Sequence, residues 1–149
     1  IMALESKSNI YFFYQTPVSL KERTRLKSFI REIFKRERKK LDNINYIFCT
    51  DSQLLKINRE FLNHDYYTDI ITFQLSEKSA PITAEIYISI DRIRDNARQL
   101  GESVTTELYR VIFHGALHLC GYRDKTKWEI AKMREKEDYY LNLYKTRFS

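Results

Sequence analysis

The spacing of apolar residues along this chain switches repeatedly between the two-residue period of a strand and the three-to-four-residue period of a helix. Ile10 to Tyr14 is a short apolar and aromatic run bounded by polar residues and by Pro17, which reads as a first strand. Leu26, Phe29, Ile30, Ile33 and Phe34 then recur at helical spacing. Ser19 and Glu22 have the form of a capping box, so a helix is expected from about Leu20 to Arg38. Ile44 to Cys49, rich in β-branched and aromatic residues, reads as a second strand, and Thr50 with Gln53 resembles another capping box opening a helix to about Leu62. After the polar loop Asn63 to Thr68, strands are expected over Ile70 to Leu75 and Ala84 to Ile90, with a turn at Lys78 to Pro81 between them. A short charged helix, Asp91 to Leu100, is then ended by Gly101.

From Ser103 to Cys120, Leu108, Val111, Ile112 and Leu119 keep a helical period that also takes in Gly115 and Ala116, small residues that permit close packing. Thr126 and Glu129 make a capping box for a final helix through Trp128, Met133 and Leu141. This alternation of strands and helices permits an α/β (α+β) domain. At 149 residues the chain is expected to be one domain, long enough to bury about two-thirds of its unfolded surface, and it carries no repeat or low-complexity linker.

Composition narrows the setting. No apolar run approaches the ~20 residues of a membrane span, and the N-terminus lacks the regions of a signal peptide, so a cytoplasmic protein with no membrane partner is expected. Cys49 and Cys120 are too few for a disulfide framework and fit a reducing compartment, although a single bridge stays open. The net charge of +6 is uneven: Lys21 to Lys40 holds ten Lys or Arg against three Glu, which leaves the rest of the chain near neutrality. Arg23, Arg25, Lys27, Arg31, Lys35 and Arg38 lie around the polar side of the first expected helix, where they can follow a phosphate backbone without reading bases. A polyanion, most commonly nucleic acid, is the partner that such a patch implies; a solvated helix face is the plainer reading.

The sharpest chemistry lies between His114 and Asp124. His114 and His118 fall four residues apart in a helical segment and stand one turn apart on one face, able to grip one metal ion. Gly121 supplies a left-handed helix stop, and the chain that turns there can bring Asp124 back toward the histidines. Cys120 points to nearly the opposite face and reads as a small buried thiol. Three protein ligands leave a position for water, the arrangement of a catalytic zinc site, and hydrolysis is the natural use. A peptidase of the HExxH type needs Glu after the first His, and that position is Gly115.

The segment His114-Gly115-Ala116-Leu117-His118-Leu119-Cys120-Gly121-Tyr122 resembles the signature of the YbeY family of metal-dependent endoribonucleases, His-Gly-x-Leu-His-Leu-x-Gly-Tyr-Asp-His. The family's final Asp-His is Arg123-Asp124 here, so the resemblance places a carboxylate where the third metal-binding histidine would stand. Asn58, Phe61, Asp65, Thr68, Asp69, Thr72 and Phe73 match a second family motif in the right order, and Ala84-Glu85-Ile86 resembles its Gly-Asp-Ile. The resemblance implies a four-stranded mixed sheet with helices packed over it and one zinc ion. It also implies single-strand-specific cleavage of RNA in maturation of the small-subunit ribosomal RNA 3′ end and in ribosome quality control. One departure bears on catalysis: Leu62 occupies the position of a basic residue that the family uses in cleavage.

With Gly115 unable to act as base, Glu85 on the fourth expected strand is the candidate for that role. With Leu62 uncharged, Arg59, His64 or Arg123 is expected to offset charge in a phosphodiester transition state, and His64 is a lesser candidate for the metal in place of Asp124. Two rivals remain. One is an assembly factor that grips RNA or the small ribosomal subunit while its metal is structural; the other is a metal hydrolase of a different substrate, its basic face serving solubility.

Overall fold

A computed structural model describes residues 9–148. The expectation about a signal peptide falls partly on residues 1–8, outside the described residues. The elements run β1 (Asn9–Tyr14), α1 (Arg23–Arg36), β2 (Leu41–Cys49), α2 (Asp51–Leu62), β3 (Ile70–Gln74), β4 (Ile82–Ser89), α3 (Ile90–Leu100), α4 (Val104–Leu119) and α5 (Lys127–Arg147). The four strands form one mixed sheet in the order β1-β2-β4-β3, with β1, β2 and β4 parallel and β3 antiparallel to β4. The sheet and its overlying helices agree with the expected architecture, and strands and helices fall where the apolar periods placed them.

The first helix starts differently. Its N-cap is Glu22, in a left-handed conformation with φ 53° and without a side-chain cap, so Ser19 and Glu22 form no capping box. Residues before it approach the helix irregularly, and Val18 and Leu20, two apart, both pack against the core; an extended path delivers both where a helix would turn one away. The other two boxes form as expected, Thr50 with Gln53 and Thr126 with Glu129.

Register divides the sheet into two faces. Ile44, Tyr46 and Phe48 of β2 align with Ala84, Ile86 and Ile88 of β4, and Ile70 and Thr72 of β3 align with Ile88 and Ile86. This row meets α1, α4 and α5, where Phe29, Phe34, Ile112, Phe113 and Tyr140 complete the main core. The opposite face carries a smaller cluster, Cys49, Leu54 and Ile71, beneath α2. Cys49 and Cys120 are both free and buried, and the sheet separates them, which closes the question of a bridge. Among the described residues no helix is long and apolar enough to cross a membrane.

Helix α4 lies hard against the sheet at Gly115. A Cβ there would stand 3.0 Å from Ile70 Cδ1, 3.1 Å from Ile86 Cδ1 and 3.2 Å from Ile86 Cγ2. The Tyr46 hydroxyl donates to the Ile112 carbonyl at 3.0 Å and ties the same helix to β2. Gly115→Val is therefore expected to lower stability by about 1–3 kcal/mol through overpacking. Urea unfolding checks this, and an unchanged midpoint would mean that the helix has room to lift.

Candidate metal centre

Positions 107, 110, 114 and 118 recur at three- and four-residue spacing, so Glu107, Arg110, His114 and His118 share one stripe of the otherwise apolar α4. The stripe faces a cleft of about 660 Å³ whose other walls are β3 and the first turns of α5. At its lower end the helix stops at Cys120, and Gly121, with φ 106°, turns the chain back. That turn returns Asp124, whose Oδ2 lies 3.3 Å from His114 Nε2 and 3.4 Å from His118 Nε2. The three donors lie within 4.8 Å of one another.

These residues fit a metal ion on geometry and donor type. Ligands bonded at about 2.05 Å to one tetrahedral ion stand about 3.3 Å apart, which matches the carboxylate's separation from both imidazoles. Two nitrogens and a carboxylate oxygen suit a borderline divalent cation such as zinc. Asp124 is 39 % exposed, so the third ligand borders solvent.

Behind His114 stands a residue that sequence reasoning passed over. Glu137 on α5, only 5 % exposed, accepts the hydrogen bond of His114 Nδ1 at 2.6 Å. This contact keeps the proton on Nδ1 and leaves the Nε2 lone pair facing Asp124, the second partner that ligating histidines require. Burial opposes the imidazolium of His114, yet Glu137, Asp124 and Asp69 together carry its pKa above the ordinary value. At His118, burial and the charge of His114 prevail over Asp124 and push the pKa down.

The carboxylates beside the pair are mostly buried. Arg110 Nη1 donates to Asp138 at 2.6 Å and lies 3.6 Å from Glu137, while its Nε lies 3.7 Å from Glu107. Burial raises the pKa of Glu107 despite Arg110, and burial likewise raises that of Asp69 on the β3 wall, where Asn96 Nδ2 donates to it at 3.2 Å. Arg134, at the α5 side and half exposed, lies 3.5 Å from Glu137. A charged residue inside the buried α5 stripe Met133, Glu137, Tyr140, Leu141, Tyr144 was the signal available for Glu137, and four-residue spacing from His114 was the signal for Arg110.

Other expected site residues lie elsewhere. Glu85 pairs across the sheet with Phe73, on the face opposite α4, and accepts from the Tyr87 hydroxyl at 3.3 Å; alternation along β4 turns it away from the histidines, so it is not placed to act as their base. Arg59 is ion-paired with Asp65, and His64 stacks on Tyr66 with its Nδ1 2.9 Å from that hydroxyl. His64 therefore does not join the ligand set, and neither residue lines the cleft. Arg123 is exposed in the metal loop but is also absent from the cleft wall, as is Leu62 at the end of α2. Cys120 is buried as expected, its thiol pushed up to about 12 by burial. The basic residues do not share one face: Arg25 covers the Phe148 ring at 4.3 Å, Lys27 lies 5.3 Å from the Phe12 ring, Arg31 and Lys35 line a separate pocket, Arg23 opens α1 and Arg38 falls beyond its end.

The metal loop is anchored from below by Glu37 at the end of α1. Its carboxylate accepts from Tyr122 at 2.7 Å and from Tyr140, with Lys136 Nζ at 3.4 Å. Burial alone would raise the Glu37 pKa, but these donors outweigh it and lower it from 4.5. A depressed carboxylate contributes stability that is present above 4.5 and lost as pH falls through the folded value. Glu37→Gln should therefore flatten the acid limb of the stability profile, read by thermal melts on either side of that pH. Glu137→Gln should weaken divalent-metal binding about 10–100-fold, measured by competition with a chromophoric chelator, because the amide no longer fixes the His114 tautomer. Undiminished affinity would show that packing alone orients His114.

Comparison with known proteins follows this geometry. The family model for Endoribonuclease YbeY matches residues 13–145. The Endoribonuclease YbeY of Cytophaga hutchinsonii is 48 % identical over 140 residues, covering 93 % of this chain and 98 % of the relative. That of Flavobacterium psychrophilum is 42 % identical, covering 91 % and 96 %. The solution structure of a Thermotoga maritima protein superposes with a TM-score of 0.62 at 24 % identity, covering 94 % of this chain and 93 % of its own, which speaks for the fold alone. The chain belongs to the Endoribonuclease YbeY family.

Proposed function

We propose that this protein is a zinc-dependent endoribonuclease that cuts single-stranded RNA in maturation of the small-subunit ribosomal RNA, contributing to ribosome quality control in the cytoplasm. One observation carries the reading: Asp124 returns to both histidines at the separation expected between two ligands of one ion, at the edge of a cleft that also holds two guanidinium groups. Family membership supplies the reaction class. His114, His118 and Asp124 would hold the zinc ion, which when bound would supply Lewis acidity for activating water and polarising a phosphoryl oxygen.

The chain's own residues do the remaining work. Glu137 holds the proton on His114 Nδ1, and the lowered pKa of His118 keeps its imidazole neutral at physiological pH. Asp69, on the cleft wall with its pKa raised by burial, is the candidate for proton transfer within the cleft. Arg134 takes the part that Leu62 leaves open, since its guanidinium lines the cleft and is half exposed beside Glu137, whereas the buried Arg110 is engaged by Glu102, Glu107, Glu137 and Asp138. A cation so placed offsets the charge that develops on the phosphate.

The departure at Leu62 is the one observation favouring the assembly-factor alternative, with its structural metal. Cleavage of labelled single-stranded RNA with and without chelator separates the two. The metal-loaded protein should cut, the chelated protein should not, and Arg134→Ala should lose about 100-fold in kcat/KM while keeping its metal. Protein that binds RNA, retains zinc and cuts nothing would leave the assembly factor in place of the nuclease.

A further inference from the structure

A second concavity, about 610 Å³, opens between the C-terminal end of α1, the start of β2 and Pro81 before β4. Arg31, Lys35, Lys39 and Lys40 line it against one carboxylate, Asp42. The sequence spreads the basic residues over the whole of α1, and two features of the fold gather these four. Arg31 and Lys35 stand one turn apart on the helix. Past its end, Arg38 adopts φ 58°, and Lys39 N donates to the Phe34 carbonyl at 2.9 Å, so the chain folds back and sets Lys39 and Lys40 beside Lys35. Asp42 is itself occupied, with its Oδ2 accepting from the Thr83 hydroxyl at 3.3 Å.

Elsewhere on α1 the cations have uses within the protein: Arg36 pairs with Glu32, and Arg25 covers Phe148. Among the described residues, by contrast, no carboxylate lies within ion-pair distance of Lys35, Lys39 or Lys40. The helix macrodipole favours cations at this terminus, but it amounts to about half an elementary charge and does not balance the three lysines. Crowded like charges repel, and an anion that enters removes that repulsion. The lining offers flexible ammonium groups over a buried Phe34 and no exposed ring on which a base could stack, which selects for phosphate over base.

Position links the pocket to the metal centre. Glu37, between Lys35 and Lys39 in sequence, is the residue that holds Tyr122 of the metal loop. The Lys40 carbonyl accepts from Ile82 N, and two residues further along β4 Ala84 pairs with Gln74 in the cleft wall. The pocket therefore lies toward the end of the sheet at which Gln74 closes the β3 wall of the cleft. We propose that the pocket of Arg31, Lys35, Lys39 and Lys40 is a phosphate-binding subsite that holds the RNA strand away from the bond in the metal cleft. The inference rests on RNA being the substrate. Binding energy gathered there acts on long strands and is withheld from short ones.

The test compares the full-length, metal-loaded protein with Lys39→Glu/Lys40→Glu, using fluorescence anisotropy on a single-stranded RNA of about twelve nucleotides and on a trinucleotide. Loss of two phosphate contacts should lower the slope of log affinity against log salt by about 1.4, which is about 25-fold in affinity at about 0.1 M salt. Trinucleotide affinity, metal content and melting temperature should be retained, and Lys39→Ala/Lys40→Ala should show the same pattern with a smaller loss. Unchanged binding of the long RNA would overturn the subsite and leave the pocket to an acidic protein partner. Equal loss on both RNAs would overturn it too, as a structural effect. Failure of the wild-type protein to cut RNA that it binds would sink the nuclease reading alone, since the comparison of affinities needs no cleavage.

Discussion

The close seat of α4 on the sheet at Gly115 is the constraint on which the candidate metal centre depends. With no side chain at that position, the helix settles onto Ile70 and Ile86, and Tyr46 from the neighbouring strand bonds the carbonyl of Ile112. His114 is the next residue along, so its height above the sheet and its angle to β3 follow from that contact. Close-packed interiors transmit small displacements instead of absorbing them. Geometry that must be held within about half an ångström is better built on such a helix than on a loop.

Around this rigid face the protein gathers charge that it would be more stable without. Glu107, Glu137 and Asp69 lie in or beside the cleft, and Arg110 runs among them, 12 % exposed and flanked by Glu102 and Asp138 as well. Desolvating such groups costs several kcal/mol each before pairing returns part of it, so a buried network of this kind is poor evidence for stability. Its arrangement makes sense as preparation of the site. Glu137 directs one imidazole, Arg110 keeps the carboxylates from repelling one another, and burial leaves Asp69 and Glu107 inclined to hold protons.

The candidate third ligand is secured from a different part of the fold. Asp124 sits in the connection between α4 and α5, and that connection is held by Tyr122 against Glu37, a residue at the end of α1 far away in sequence. Tyr140 and Lys136 of α5 reach the same carboxylate, so α1 and α5 meet at the anchor of the loop. The same end of α1 turns back through Arg38 and exposes its lysines. One helix terminus thus both braces the loop that carries Asp124 and gathers positive charge.

Periodicity and caps determined most of the fold and the pairing of the two candidate metal-binding histidines, because both are local properties: His114 and His118 share a face by helix geometry alone, and Gly121 stops the helix whatever lies around it. The return of Asp124 was legible as far as Gly121 turned the chain. Glu37, which holds that turn, was not legible, since nothing near residue 37 in sequence points to residue 122. Glu85 shows the limit from the other side. Alternation told that it faces away from its β4 neighbours Ala84 and Ile86, but which face receives α4 was decided by packing, and packing buried Ile86 beneath the helix and left Glu85 on the far side. The basic residues of α1 were visible as composition, yet their division into ring-covering, ion-paired and pocket-lining groups came only with tertiary structure. Glu137 belongs to the same class: a carboxylate on a buried helical stripe is a local anomaly, and only the crossing of α5 over α4 gives it His114 to hold. Local rules fix which side chains share a face, whereas the partner of that face is a long-range contact chosen by the burial of the whole core.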